Sequence, residues 1–227
     1  MFFFLILMMV AFGVGRLIYL NNQRQIEIKQ FAHDSGLSHG GDIKYRIRSL
    51  FSDSVLFRLA EYSEITNTFE AESDGLNLTC FDLAVGAISG ANSIVNHTVI
   101  SVESESLTLP PFAILPFKAF HGFRSRIELP KIVLPSDPVL SSMFSFFGTD
   151  SELVDASLNE DFRDFIRRQP NIYFESTNQA FLVCYPLRKH GVGAMKQQLS
   201  LAYKLHQILV QSQSVKRQCE TVATSVD

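Results

Sequence analysis

Ile65-Thr66-Asn67-Thr68-Phe69-Glu70-Ala71, then Asp74-Gly75, then Leu76-Asn77-Leu78-Thr79-Cys80-Phe81-Asp82-Leu83 is the stretch on which the fold turns. Both runs are rich in β-branched, aromatic and other apolar residues. Asp-Gly between them suits a tight turn, because both residues tolerate positive φ. This reads as an antiparallel hairpin. Working outward, residues 55–62 before it and 98–102 after it carry the same strand-like texture, with a polar connector over 86–96. The segment 37–116 therefore reads as an antiparallel, β-rich half.

Pro110, Pro111, Pro116, Pro130, Pro135 and Pro138 follow. Proline removes a ladder donor, so this region predicts extended edge segments or a crossover to a second half over 117–211. In that half, residues 143–147 read as a buried strand ended by Gly148. Thr149-Asp150-Ser151-Glu152 has the form of a capping box opening a helix that runs to Arg168. Leu153, Val154, Leu158, Phe162, Phe165 and Ile166 should form its buried stripe. Residues 172–175 and 180–185 flank Ser176-Thr177-Asn178-Gln179 as a second hairpin. An amphipathic helix over 194–211 should bury Met195, Leu199, Ala202, Leu205 and Leu209. The polar residues 212–227 have little to bury and read as a disordered tail.

The beginning of the chain is different in kind. Residues 1–15 carry no charge, and Leu17-Ile18-Tyr19-Leu20 extends the apolar run past Arg16. At 1.5 Å rise per residue, residues 2–20 can cross a hydrocarbon core of roughly 30 Å if Arg16 snorkels outward. A cleaved signal peptide would need a basic stretch before the run and a small-x-small site after it, and neither is there. No breaker occurs until Gly36, so residues 1–36 read as a transmembrane anchor with a helical extension. Basic residues follow the span, at Arg16, Arg24 and Lys29, and none precedes it. This predicts a cytosolic domain behind a single-pass anchor. The full expectation is thus an α+β protein: a transmembrane helix, an antiparallel sheet region, and a second α+β half with a C-terminal amphipathic helix.

Twenty Lys and Arg stand against 23 Asp and Glu, a net charge of -3, which argues against nucleic acid as a partner. Cys80, Cys184 and Cys219 have no CxxC spacing and an odd count, which fits a reducing compartment. Residues 43–51 read as a short basic amphipathic helix whose Lys44, Arg46 and Arg48 could contact anionic lipid beside the bilayer, or simply face solvent. Within the span, Ala11-x-x-x-Gly15 has the small-x-x-x-small form that lets helices approach, so it offers a homodimer contact.

The order Thr66-Asn67-Thr68, Asp74-Gly75-Leu76, Cys80-Phe81-Asp82, Thr98-Val99-Ile100, Leu109-Pro110-Pro111-Phe112 and Ser136-Asp137-Pro138 resembles a group of uncharacterised bacterial single-span, membrane-anchored proteins. The resemblance covers roughly residues 30 to 210. It implies a bacterial inner-membrane protein, and it carries over no catalytic motif.

The chemistry of the sequence is correspondingly thin. His33, His39, His97, His121, His190 and His206 are scattered without HxH or HExxH spacing. Gly191-Val192-Gly193 lacks the rest of a nucleotide-binding fingerprint, and no serine has a GxSxG frame. No catalytic, cofactor-binding or metal-ligating residue is therefore assigned. Asp82 and Asp137 are the carboxylates that should be fixed in place, by turn or cap hydrogen bonds. The leading functional expectation is a membrane-anchored binding or scaffold module. The alternative is an enzyme whose site is assembled only in three dimensions.

Overall fold

A computed structural model describes residues 2–39, 42–58, 63–86, 94–117, 127–186 and 189–224. Its centre is one eight-stranded sheet with every neighbouring pair antiparallel, in the order β1-β2-β3-β8-β7-β4-β6-β5. The strands are β1 (Ser63–Ser73), β2 (Leu76–Gly86), β3 (Ile94–Ser104), β4 (Leu109–Pro116), β5 (Lys131–Ile132), β6 (Phe144–Gly148), β7 (Tyr173–Asn178) and β8 (Ala180–Cys184). Strands from 37–116 and from 117–211 share this sheet, since β3 pairs with β8 and β4 with both β6 and β7.

The β1–β2 hairpin forms as its sequence predicts. Asp74 and Gly75 adopt φ of 51° and 73°, and Ser73 pairs directly with Leu76. A Cβ at Gly75 would meet no neighbour, so the positive φ alone requires glycine. Gly75→Ala is expected to cost about 1 kcal/mol, measured as a shift of the urea midpoint at unchanged slope.

Side chains alternate between two cores. Cys80, Ile100, Phe112, Ile114, Phe174 and Phe181 face one side, against α1 (Phe2–Asp34), α4 (Pro138–Met143), α5 (Ser151–Ser157), α6 (Glu160–Arg167) and α7 (Val192–Thr224). Phe81, Val99, Ala113, Leu115, Tyr173 and Leu182 face the other, under α2 (Asp42–Leu50) and α3 (Val55–Arg58). The period of two along each strand is what allows both faces to be apolar. Cys80 and Cys184 lie in different cores, both as free, buried thiols whose pKa burial raises.

Four expectations need correction. Residues 55–58 are helical rather than extended, because the Glu175 carboxylate accepts from the first amides of α3 and holds the turn against local β propensity. The remainder of that expected strand, 59–62, lies outside the described residues. The proline-rich strand β4 is interior, not an edge. Its ladder shifts between Leu109 and Phe112, and Ser176 Oγ fills the gap by donating to Pro110 O at 2.6 Å and accepting from Phe112 N at 3.3 Å. The single helix expected to run to Arg168 is two. Asn159 caps α6 through Phe162 N, and the cap of α5 is Asp150, one residue after Thr149. Leu153, expected in the buried stripe, is 54% exposed, while Val154 is buried. Finally, α7 continues through Thr224, past the expected end at Gln211. No glycine or proline follows Gly193 to stop it.

The first helix is continuous for 33 residues, about 50 Å. Among the described residues no helix is long and apolar enough to cross a membrane. The side chains of residues 2–7, 10, 11 and 17, which supply much of the apolar run, lie outside the described residues. Met8, Met9, Phe12, Val14, Ile18, Tyr19 and Leu20 are exposed, Phe12 to 75%.

Candidate functional site

The end of α1 meets the sheet at a buried polar cluster. Arg24 grips the Asp82 carboxylate with both terminal nitrogens, Nη1 to Oδ2 at 2.6 Å and Nη2 to Oδ1 at 2.8 Å, and its Nε donates to His190 O at 2.9 Å. Thr98 Oγ1 donates to Asp82 Oδ1 and Asn67 Nδ2 to Oδ2, each at 2.8 Å. His190 N donates to Thr98 Oγ1 at 2.9 Å, and Gln198 Nε2 to Thr98 O at 3.2 Å. Six elements of sequence, from α1, β1, β2, β3, the approach to α7 and α7 itself, are thereby tied to one carboxylate.

Asn67 reaches Asp82 because β1 bulges. The register shifts between Thr66 and Phe69, and Asn67 takes a left-handed φ of 50°, which asparagine tolerates better than most residues. Asp82 has two acceptor positions per oxygen, and all four are used. Saturated in this way, it positions its neighbours and has no lone pair left over for proton transfer. Asp82 is thus fixed in place as expected, but by Arg24 and cross-strand side chains in the middle of β2 rather than by turn or cap hydrogen bonds. Asp137 is fixed by a cap, as expected: it caps α4 through Leu140 N and pairs with Arg167.

Beside the cluster lies an apolar cleft of about 350 Å³. Ile28, Lys29, Ala32 and His33 of α1 form one wall, and Asn67 and Phe69 of β1 form the other. Leu37 and His39 complete the lining. They are brought there by a helix stop at Gly36, φ 65°, where Leu37 N donates to Ala32 O and Gly36 N to His33 O, so that Ser38 folds back to pair with Glu70. Phe31 meets Phe69 edge-on at 5.8 Å, and the Lys196 ammonium of α7 stands 4.9 Å from the Phe31 ring centroid.

A second buried carboxylate, Glu175, sits on the opposite face. It accepts from Ser54 Oγ and Val55 N, both at 2.6 Å, and from the Tyr173 hydroxyl. Burial without a cation beside it pushes its pKa up.

No protein-family model matches the chain, and no curated protein matches it in sequence. Its fold resembles the crystal structure of the mycobacterial trehalose monomycolate transport factor A, TtfA. The two are 12% identical with a TM-score of 0.53, and the match covers 82% of this chain and 96% of that one. At that identity the likeness concerns the fold alone.

The residues singled out by the sequence are dispersed. Arg46 pairs with Glu70 and Glu103 and bonds Thr79 Oγ1, and Arg48 donates to Ser63 O at 2.7 Å, so of the basic trio Lys44, Arg46 and Arg48 two are engaged within the protein. His33 and His39 line the cleft, His97 is buried in β3 with its pKa lowered to about 4 by burial, and His206 lies on α7. His121 lies outside the described residues. Among the described residues no three His, Cys, Asp or Glu come together as metal ligands. The Arg24–Asp82 pairing could not be read from the sequence, because 58 residues separate the partners. The only local signal was a charged residue inside an apolar strand.

Proposed function

We propose that this chain is a membrane-tethered binding module. Residues 2–20 cross the bacterial inner membrane, and the α+β domain stands on the cytosolic side, where it holds a partner or ligand. The carrying observation is the surface of α1. Met8, Met9, Phe12, Val14, Ile18, Tyr19 and Leu20 are exposed around most of the helix circumference, and among the described side chains of this helix the first hydrogen-bonded to the sheet is that of Arg24. Such a surface is costly in water and comfortable in lipid. The apolar character of the cleft, and the saturation of Asp82, favour binding over catalysis. The neighbour's description as a transport factor is compatible with a binding role.

The test is alkaline carbonate extraction of membranes from cells making the full chain with a C-terminal compartment reporter. The full chain should stay with the membranes, with a cytosolic signal. Release of the full chain into the supernatant would overturn the tether. An external signal would reverse its orientation.

A further inference from the structure

We propose that the cleft between α1 and β1 takes the acyl chain of a long-chain fatty acid, with its carboxylate held at the mouth by Lys29 and His33. The floor is apolar, made by Ile28, Ala32, Leu37 and Phe69, and about 350 Å³ lies within the range of small-molecule sites. The mouth carries the opposite chemistry. Lys29 and His33, both exposed, line it, and among the described lining residues there is no carboxylate. The nearby Asp34 is exposed and is shared between Gln30 Nε2 and His33 Nδ1. An apolar floor with the Lys29 ammonium at its rim is complementary to an apolar tail ending in an anion.

The size of the cleft argues for a small ligand over a peptide helix. A docking helix needs an open groove several turns long, and a cleft of about 350 Å³ lined by eight residues falls short of that. Position argues for a ligand that comes from lipid. Ile28 lies eight residues beyond Leu20 on the same helix, about 12 Å along its axis, so the mouth opens close to the membrane surface. This last step rests on the tethered-module reading, and the experiment separates the two.

The probe is a diazirine-bearing palmitic acid, added to the full chain in phosphatidylcholine vesicles, photolysed and mapped by peptide. Label is expected on the segments carrying Ile28, Ala32 and Phe69 as well as on the span. Reversing the mouth with Lys29→Glu and His33→Glu, both exposed positions that fold tolerates, should lower cleft label about tenfold, the size expected for a lost charge-assisted contact. Label on residues 2–20 should not change. The matching fatty alcohol should label the cleft about tenfold less than the acid. Label confined to the span, or cleft label indifferent to charge reversal, would overturn the fatty-acid site while leaving the tether intact. Cleft label on a chain that carbonate strips from the vesicles would do the reverse.

Discussion

Asp82→Ala is expected to destabilise the protein by about 3–5 kcal/mol, the cost of leaving a buried charge without its partner. Asp82 is 1% exposed, and the Arg24 side chain 13%. Removing the carboxylate strands the guanidinium against Thr98 and His190 O, and frees the amide of Asn67, which holds its left-handed backbone conformation beside that contact. Urea unfolding of the full chain in detergent micelles, followed by near-ultraviolet circular dichroism, measures the loss. The double replacement Arg24→Met with Asp82→Leu should recover a large part of it, because a desolvated pair can be exchanged for apolar packing at little net cost. Hydrogen exchange gives a second readout. The amides of α1 around residues 24–32 should exchange faster in Asp82→Ala than in the double variant, since the pair fastens α1 to the sheet. A loss under about 1 kcal/mol would mean that apolar contacts such as those of Ile28, Phe31 and Ala32 seat the helix without help from the pair.

How far the sequence carried the fold follows from the range of the forces involved. The Asp74-Gly75 turn was legible because its requirement, positive φ at two adjacent residues, is local. The strands β2, β7 and β8 were legible for a similar reason, since their β-branched, aromatic and apolar content is local. Residues 55–58 were misread because their structure depends on Glu175, 120 residues away, whose carboxylate caps the turn. The interior position of β4 was hidden by Pro110 and Pro111. Proline forbids a ladder bond, but it does not forbid a bulge that a serine hydroxyl from β7 can complete. Of the candidate site, Asp82 stood out as a charge within an apolar strand, and Gly36 as a helix stop. The cleft did not. Its walls come from α1 and β1, and long-range contacts, the Arg24–Asp82 pair, the Phe31–Phe69 packing and the return at Leu37, bring them together.

Glu175 gives the second large effect, and its sign depends on pH. The folded carboxyl has a raised pKa because burial disfavours its charged form, although Ser54, Tyr173, Val55 and Leu56 offset part of that by donating to it. Between the ordinary glutamate pKa and the raised folded value, the native state holds a proton that the unfolded chain has released. Stability therefore falls as pH rises through this window, and it levels off above it. Glu175→Gln removes the titration while keeping an oxygen for Val55 N and an amide for the Tyr173 or Ser54 hydroxyl. The stability of wild type minus that of Glu175→Gln should be most favourable to wild type below the ordinary glutamate range, decline through the window up to the raised folded pKa, and level off above it. Taking this difference cancels His97, Asp155 and every other titrating group common to the two proteins. Glu175→Ala is a harsher change. It leaves the Val55 amide and two hydroxyls without their acceptor and opens a cavity, at a cost of about 3 kcal/mol or more. Urea midpoints for the three proteins, collected from pH 4 to pH 9, decide the matter. A wild-type-minus-glutamine difference that does not change with pH would show that Glu175 keeps an ordinary pKa despite its burial, and the α3 cap would then be anionic above the ordinary glutamate range.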